Sequence, residues 1–309
     1  MIDILKPGLL TTVQDDGRWG YQQFGVPVSG PMDRASHRLA NLIVGNTWSA
    51  ATLEVTFDGP ELRFCEDILF AITGARFDVY LDGSLIGLDT CQLARSGQKL
   101  LFGQRFLGSR SYLAVTGGFD VPKVLGSRAT HTASGIGGFK GRSLKVGDRL
   151  VVGEDVVRTS QMGFTRTSVV ALPRKGTRVR VIPGPNDALF SEDALSKFVS
   201  SRYYVGIDSD RMGYRLEGLA VSLNSRNELI STAVPIGSVQ VTTSGKLIIL
   251  MADHQTTGGY PRIGTIITAD LPLIGQLSPG DWVQFEWSSQ SVAMSELIAQ
   301  ERALMSEAG

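Results

Sequence analysis

The chain is poor in the residues that carry metal and redox chemistry, with two cysteines and three histidines among 309 residues. Cys65 and Cys91 form at most one bridge and stand in no Cys-x-x-Cys or metal-ligand spacing, which points to a reduced, cytosolic pair. His37, His131 and His254 lie far apart, none with a second His or Cys at zinc spacing, so no metal site is expected. Charge of one sign is lacking too. Thirty basic residues balance thirty acidic ones, so no net field draws the chain to nucleic acid or to an anionic membrane. Long apolar runs are missing, and nothing approaches the roughly 20 residues of a membrane span. The opening residues, Met1-Ile2-Asp3-Ile4-Leu5-Lys6-Pro7, lack the charged and apolar regions of a signal peptide, which makes a cytoplasmic location the expectation. No Gly-x-Ser-x-Gly elbow is present to expose a serine nucleophile. Acidic pairs such as Glu54 with Asp58 are too ordinary in spacing to define a glycosidase dyad.

What the chain has is glycine, 36 of them, spread between short apolar or alternating segments. Residues 62–64, 68–73, 77–81, 112–115, 179–182 and 247–251 are short and rich in β-branched, aliphatic or aromatic side chains. Bounded by Gly, Asp or Pro, such runs predict strands. Asp82-Gly83 tolerates the positive φ of a tight hairpin turn. Helical spacing appears over 33–44, 186–200 and 291–305, and none of these alternates regularly with strands. That pattern argues against a doubly wound parallel sheet and for a mainly β protein with a few short helices.

A polar stretch over 156–176 without clear periodicity reads as a connection between two halves. Two domains over 1–160 and 177–309, joined through 161–176, are the expected organisation. An ungapped match supports two halves. Asp15, Arg18, Gly20, Tyr21, Gly25, Val28 and Ser29 recur as Asp208, Arg211, Gly213, Tyr214, Gly218, Val221 and Ser222 at an offset of 193 residues. Duplication of one β domain explains the match, and paired barrels often form ligand sites at their junction.

The loop Gly135-Ile136-Gly137-Gly138-Phe139-Lys140-Gly141-Arg142-Ser143 invites a phosphate-binding reading but fails in detail. Arg142 stands where a P-loop needs Lys, and Lys140 fills the third glycine position of the dinucleotide pattern. A tight, closely packed turn is the better reading. Other segments concentrate polar groups. Gln14, Asp15 and Arg18 share one short loop, and Ser29-Gly30-Pro31-Met32-Asp33 leads into a helix whose N-terminus is placed to receive an anion. Asp208-Ser209-Asp210-Arg211 repeats the pairing of carboxylate and guanidinium. Asp253, Gln255, Thr256, Thr257 and Tyr260 follow directly on an apolar strand, where they can converge on a ligand.

These segments resemble the allophanate hydrolase subunit 2 family, also described as biotin-dependent carboxyltransferase-like, and within it the branch of 5-oxoprolinase C-type subunits. The resemblance is carried by Thr11-Thr12-Val13-Gln14-Asp15, Arg110-Ser111-Tyr112-Leu113-Ala114-Val115, Arg211-Met212-Gly213-Tyr214-Arg215-Leu216 and Gln255-Thr256-Thr257-Gly258-Gly259-Tyr260-Pro261-Arg262-Ile263. It implies two cyclophilin-like β-barrel domains. It also implies a role in an ATP-dependent 5-oxoprolinase complex that opens 5-oxo-L-proline to L-glutamate. The partners it implies are a smaller, B-type barrel subunit and an A-type subunit of the LamB/YcsF kind. The alternatives within the family are the carboxyltransferase component of a urea-type carboxylase, which uses carboxybiotin, and a non-enzymatic antagonist of a kinase inhibitor. No Met-Lys-Met context for biotinylation is present. No cofactor is therefore expected on this chain itself, with ATP bound elsewhere in the complex and biotin relevant only under the alternative.

For lactam opening, Asp15, Asp210 and Asp253 are the candidate acid–base groups. Arg18 and Arg211 suit a carboxylate or phosphate through their planar forks. Gln14, Tyr214, Gln255, Thr256, Thr257 and Tyr260 are the candidate groups for orienting neutral polar atoms of the substrate. An internal Asp–Arg bridge is the competing role for both arginines.

Overall fold

The computed structural model describes residues 1–153, 162–168, 170–224 and 229–306. Two compact units emerge, one from Met1–Trp19 with Ser29–Leu172, the other from Gly20–Val28 with the chain from Pro173 onward. The expected connection over 161–176 lies partly outside the described residues.

The first unit is a curled antiparallel sheet. Its strands are β1 (Ile2–Lys6), β2 (Leu10–Gln14), β3 (Thr52–Thr56), β4 (Glu61–Phe64), β5 (Ile68–Leu81), β6 (Ser84–Ile86), β7 (Gln92–Ala94), β8 (Lys99–Val115) and β9 (Arg149–Leu150), with helix α1 (Arg34–Ile43) after β2. The main path runs β2-β3-β8-β4-β1-β9, and β5 pairs with β6, β7 and β8. The segments expected as separate strands over 68–73 and 77–81 are one strand, bent where its register against β8 shifts on either side of Arg76. Bulges of this kind increase local twist and curl a sheet. At the tip, Asp82 (φ 47°) and Gly83 (φ 80°) make the hairpin turn, and Leu81 pairs with Ser84. Both central residues at positive φ match the right-handed twist of the flanking strands. The sheet closes over a core that includes Phe64 stacked on Phe70 and Phe77 edge-on to Phe102.

The second unit is a closed barrel. Strands β10 (Gly176–Pro183), β11 (Tyr203–Val205), β12 (Gly213–Glu217), β14 (Ser238–Val241), β15 (Leu247–Leu250), β17 (Arg262–Ile266) and β18 (Trp282–Trp287) follow the order β10-β17-β14-β15-β12-β11-β18. Closure comes from β10 running parallel to β18, whereas the other described ladders are antiparallel. Strands β13 (Thr232–Ala233) and β16 (Thr257–Gly258) form a separate two-stranded ribbon. Helix α2 (Glu192–Ser200) inserts Phe198 against Phe285, with ring centroids 4.5 Å apart and nearly parallel planes. The mainly β expectation holds, with a full barrel in the second unit and a half-barrel in the first.

Helix boundaries show where local pattern and structure part. Spacing over 186–200 predicts one helix. Instead a short 3-10 turn (Asp187–Leu189) precedes Phe190 in extended conformation, and Ser191 then caps α2 by accepting the Ala194 N–H at 3.1 Å. Helix α3 (Leu271–Gly275) is too short to give a periodic signal. Helix α4 (Gln290–Met305) falls where helical spacing predicts one.

The 193-residue match does not superimpose equivalent strands. Gly20-Tyr21 lies in a turn before a short 3-10 helix (Gln22–Phe24), whereas Gly213-Tyr214 lies in β12 with Tyr214 2% exposed. The shared residue types serve different local structures.

Candidate functional site

In the first unit, the polar loop after β2 is welded to the loop around residue 127. Gln14 Nε2 donates to Thr12 Oγ1 (3.0 Å) and to the Thr130 carbonyl (3.1 Å). Asp15 accepts from Ser127 Oγ at 2.6 Å and from the Gly17 N–H at 3.1 Å. Arg18 is 1% exposed, donating Nε to the Val124 carbonyl (2.9 Å) and Nη2 to the Ala129 carbonyl (2.8 Å). All three residues selected here from sequence therefore fasten two loops together. Asp15 also lines an open cleft of about 320 Å³, with Asp16, Gly17, Asp120, Lys123 and Arg128 among its walls.

The N-terminus of α1, expected to receive an anion, is already capped: Asp33 Oδ1 accepts the Ser36 N–H at 2.9 Å. A carboxylate supplied by the chain takes the place an anion would occupy. Behind it lies a buried polar network. Tyr112 Oη donates to Glu54 Oε2 (2.8 Å) and accepts the Asp33 N–H (2.7 Å), while the Met32 N–H also reaches Glu54 (2.8 Å). Glu54 is a structural acceptor rather than half of an acidic dyad.

His37 on α1 is fully buried, its Nδ1 2.9 Å from Thr52 Oγ1. Burial pushes its pKa down to about 4, against the raising influence of Asp16, Asp15 and Glu54. Above pH 6.5 both folded and unfolded chains hold this ring neutral. Below it the unfolded chain takes up a proton that the folded chain refuses until about pH 4. Stability is therefore expected to fall with pH between 6.5 and about 4, by at most ~1.4 kcal/mol per unit from this residue. Urea titrations across that range should show the slope in the wild type and a smaller one in His37→Gln. An equal slope in the two would remove His37 as its source. The Asp3 carboxylate, held at about 2 by Arg149 and Arg63, loses its contribution in the more acidic range from about pH 4 to 2.

In the second unit, Asp210 and Asp253 hold the backbone and the guanidinium of one segment. Asp210 Oδ1 accepts the N–H groups of Met212 (2.8 Å) and Gly213 (3.1 Å), a side-chain turn that launches β12. Arg211 and Asp253 form a two-pronged pair, Nε to Oδ2 at 2.9 Å and Nη2 to Oδ1 at 3.1 Å. The pair is buried, with side chains 6% and 4% exposed. The Asp253 N–H returns to the Arg211 carbonyl at 2.8 Å. Tyr214 is buried in β12 with its hydroxyl 3.5 Å from the Leu277 carbonyl. His254, whose pKa is lowered by burial, meets the Gln255 carbonyl through Nδ1 at 2.6 Å.

The remaining sequence-selected residues lie on the loop that follows β15. Thr257 belongs to the β13–β16 ribbon, and the Thr256 carbonyl accepts the Val234 N–H at 3.1 Å. Gln255, Thr257 and Tyr260 are exposed, Tyr260 by 44%. Of the selected set in this unit, these three and Asp210 are exposed to solvent. Two further polar residues stand outside the sequence-selected set: Arg262, which closes the polar motif, and Gln240, which lies opposite it across the β14–β17 ladder and against Gly258 of this loop. Gln240 is a single amide inside the apolar run of β14, and that interruption is the available signal.

Residues 24–287 match the model of the carboxyltransferase domain, subdomain A and B, and the chain belongs to that family. It is 39% identical over 302 residues to the 5-oxoprolinase C subunit of Escherichia coli, covering 98% of this chain and 96% of that one. It is 36% identical to the 5-oxoprolinase C subunit of Haemophilus influenzae, covering 93% and 91% of the two chains. Among solved structures, Kluyveromyces lactis urea amidolyase superimposes with a TM-score of 0.90 at 31% identity, over 98% of this chain and 20% of that one. No described helix is long and apolar enough to cross a membrane.

Proposed function

We propose that this chain is the C-type subunit of an ATP-dependent 5-oxoprolinase, acting with the smaller B-type barrel subunit and the LamB/YcsF-type subunit to open 5-oxo-L-proline to L-glutamate. The observation that carries the reading is 39% identity extending over 96% of the E. coli protein. ATP would activate the lactam by transferring its γ-phosphoryl group to the lactam oxygen with release of ADP, a step assigned to a partner, and water opening the ring would release phosphate. The loop at Gly135–Ser143 supports that division, because it packs as a turn against its own neighbours: the Gly138 N–H bonds the Arg128 carbonyl at 3.0 Å. In this chain Asp15, Asp210, Asp253, Arg18 and Arg211 hold the polar loops in shape, and Gln255, Thr257 and Tyr260 offer groups to the ring. Acid–base work by Asp15 or Asp253 would first require release from hydrogen bonds at both carboxylate oxygens, whereas Asp210 is exposed and engaged through Oδ1.

An ATP-dependent glutamate-release assay tests the proposal. Activity is expected when this chain is combined with both partners, and none is expected from the chain alone. Absence of activity from the full set would sink it. The urea amidolyase likeness favours a second reading, carboxyl transfer from carboxybiotin to urea, which the same preparation would reveal through urea-dependent loss of carboxybiotin.

A further inference from the structure

Arg18 and Arg211 are the sequence candidates for an anionic substrate group, yet both guanidinium groups already serve the chain's own oxygens. Arg262 differs. Its Nε is shielded from solvent and has no acceptor, and among the described residues no carboxylate pairs with it. Its backbone N–H is taken by Asn186 Oδ1 at 3.1 Å, so that amide serves the backbone rather than the charge. Burial lowers the Arg262 pKa, as expected for a cation without a counter-charge.

The residue opposite it across the β14–β17 ladder is Gln240. Directly opposed residues of an antiparallel pair project from the same face. Gln240 is 1% exposed, and its Nε2 also lacks an acceptor. A shielded donor left unmatched is costly, and two on paired residues of one ladder are rarely retained without a use. The loop of Gln255–Tyr260 runs directly over Gln240. A Cβ at Gly258 would stand 2.6 Å from Gln240 Nε2 and 3.6 Å from Gln255 Nε2, so the absence of a side chain there keeps the two amides close to one point. The two unmatched atoms, Arg262 Nε and Gln240 Nε2, are both donors, one of them on a cation. That combination fits a small carboxylate, which accepts through both oxygens and cancels the charge.

We propose that Arg262 and Gln240 form an anion-binding pair that receives the carboxylate of the substrate, beneath the Gln255–Tyr260 loop. Identification of the acid as 5-oxo-L-proline rests on the oxoprolinase reading, whereas the anion site itself rests on the two unmatched donors.

The test uses this chain assembled with its partner subunits. Calorimetric titration with 5-oxo-L-proline is compared with 2-pyrrolidinone, the same ring without its carboxylate. Wild-type protein should prefer the acid, and Arg262→Gln should lower the affinity for the acid by about 10- to 100-fold, the loss of a charge-assisted hydrogen bond, while leaving 2-pyrrolidinone unaffected. Because the substitution removes a half-buried cation that no described carboxylate pairs, its melting temperature should hold or rise, which a purely structural arginine would not allow. Gln240→Glu provides the second variant. It places a carboxylate opposite Arg262, so it should stabilise the fold and exclude the acid. Unchanged affinity for the acid in both variants overturns the site, as does a lowered melting temperature in both. If ring opening proceeds at the wild-type KM in Arg262→Gln, the site falls and the oxoprolinase reading stands. If ring opening is absent from the wild type but acetate raises its melting temperature and not that of Arg262→Gln, the site stands and the reading falls.

Discussion

Arg211→Ala is expected to destabilise the second unit by about 3–5 kcal/mol, because it strands the Asp253 carboxylate in a buried setting. Asp253 keeps both oxygens on Arg211, at 2.9 and 3.1 Å, and the two side chains are almost wholly shielded. The backbone link between the same residues makes this one joint, tying the start of β12 to the polar loop after β15. Arg211→Lys retains the charge but not the fork, so it should fall between wild type and alanine in melting temperature. If Arg211 instead gripped the substrate, the lysine variant would melt normally and lose about tenfold to hundredfold in kcat/KM. The double substitution Arg211→Met with Asp253→Leu separates pair from site further. Removing both charges should recover much of the stability lost by removing one. A double variant no more stable than Arg211→Ala would show that the pair's neighbours, not its charges, set the cost.

Most of the β character was legible because it is local. The Asp82-Gly83 turn, the run at 247–251 and the capped α1 each depend on residues within a few positions, and each appears in place. What sequence spacing could not reveal is where polar groups find their partners. Arg211 meets Asp253 across 42 residues, Arg18 meets Ala129 across 111, and Asp15 meets Ser127 across 112. A carboxylate beside an arginine in sequence suggests a pair waiting for a ligand. In the fold these arginines turn to more distant oxygens, and Asp210 turns to backbone amides. Gln240 and Arg262 escape notice for the converse reason. Gln240 is unremarkable in its own segment, Arg262 ends a motif whose other side chains draw attention first, and only the antiparallel register brings the two opposite one another.

The glycine loop at 135–141 shows the same lesson at the level of backbone. Gly137→Ala is expected to destabilise the first unit by about 3 kcal/mol or more. Gly137 adopts φ 70°, where an alanine carries roughly 1–2 kcal/mol of strain. A Cβ built there would lie 2.1 Å from the Ala129 carbonyl oxygen and 2.5 Å from Arg18 Nη2. Those two atoms form the 2.8 Å hydrogen bond that holds Arg18, so the new methyl group must push them apart. Loss of that charge-assisted bond adds about 1.5–3 kcal/mol. Urea unfolding should therefore show a lower midpoint for Gly137→Ala, and its loss and that of Arg18→Met should be less than additive, since both break the Arg18–Ala129 contact while Arg18→Met also removes the one to Val124. A nucleotide-binding loop predicts something else: a stable variant with weakened ATP binding. Normal unfolding of Gly137→Ala would remove the scaffold role assigned here to Gly137 and Arg18, and fully additive losses in the double variant would uncouple the two residues.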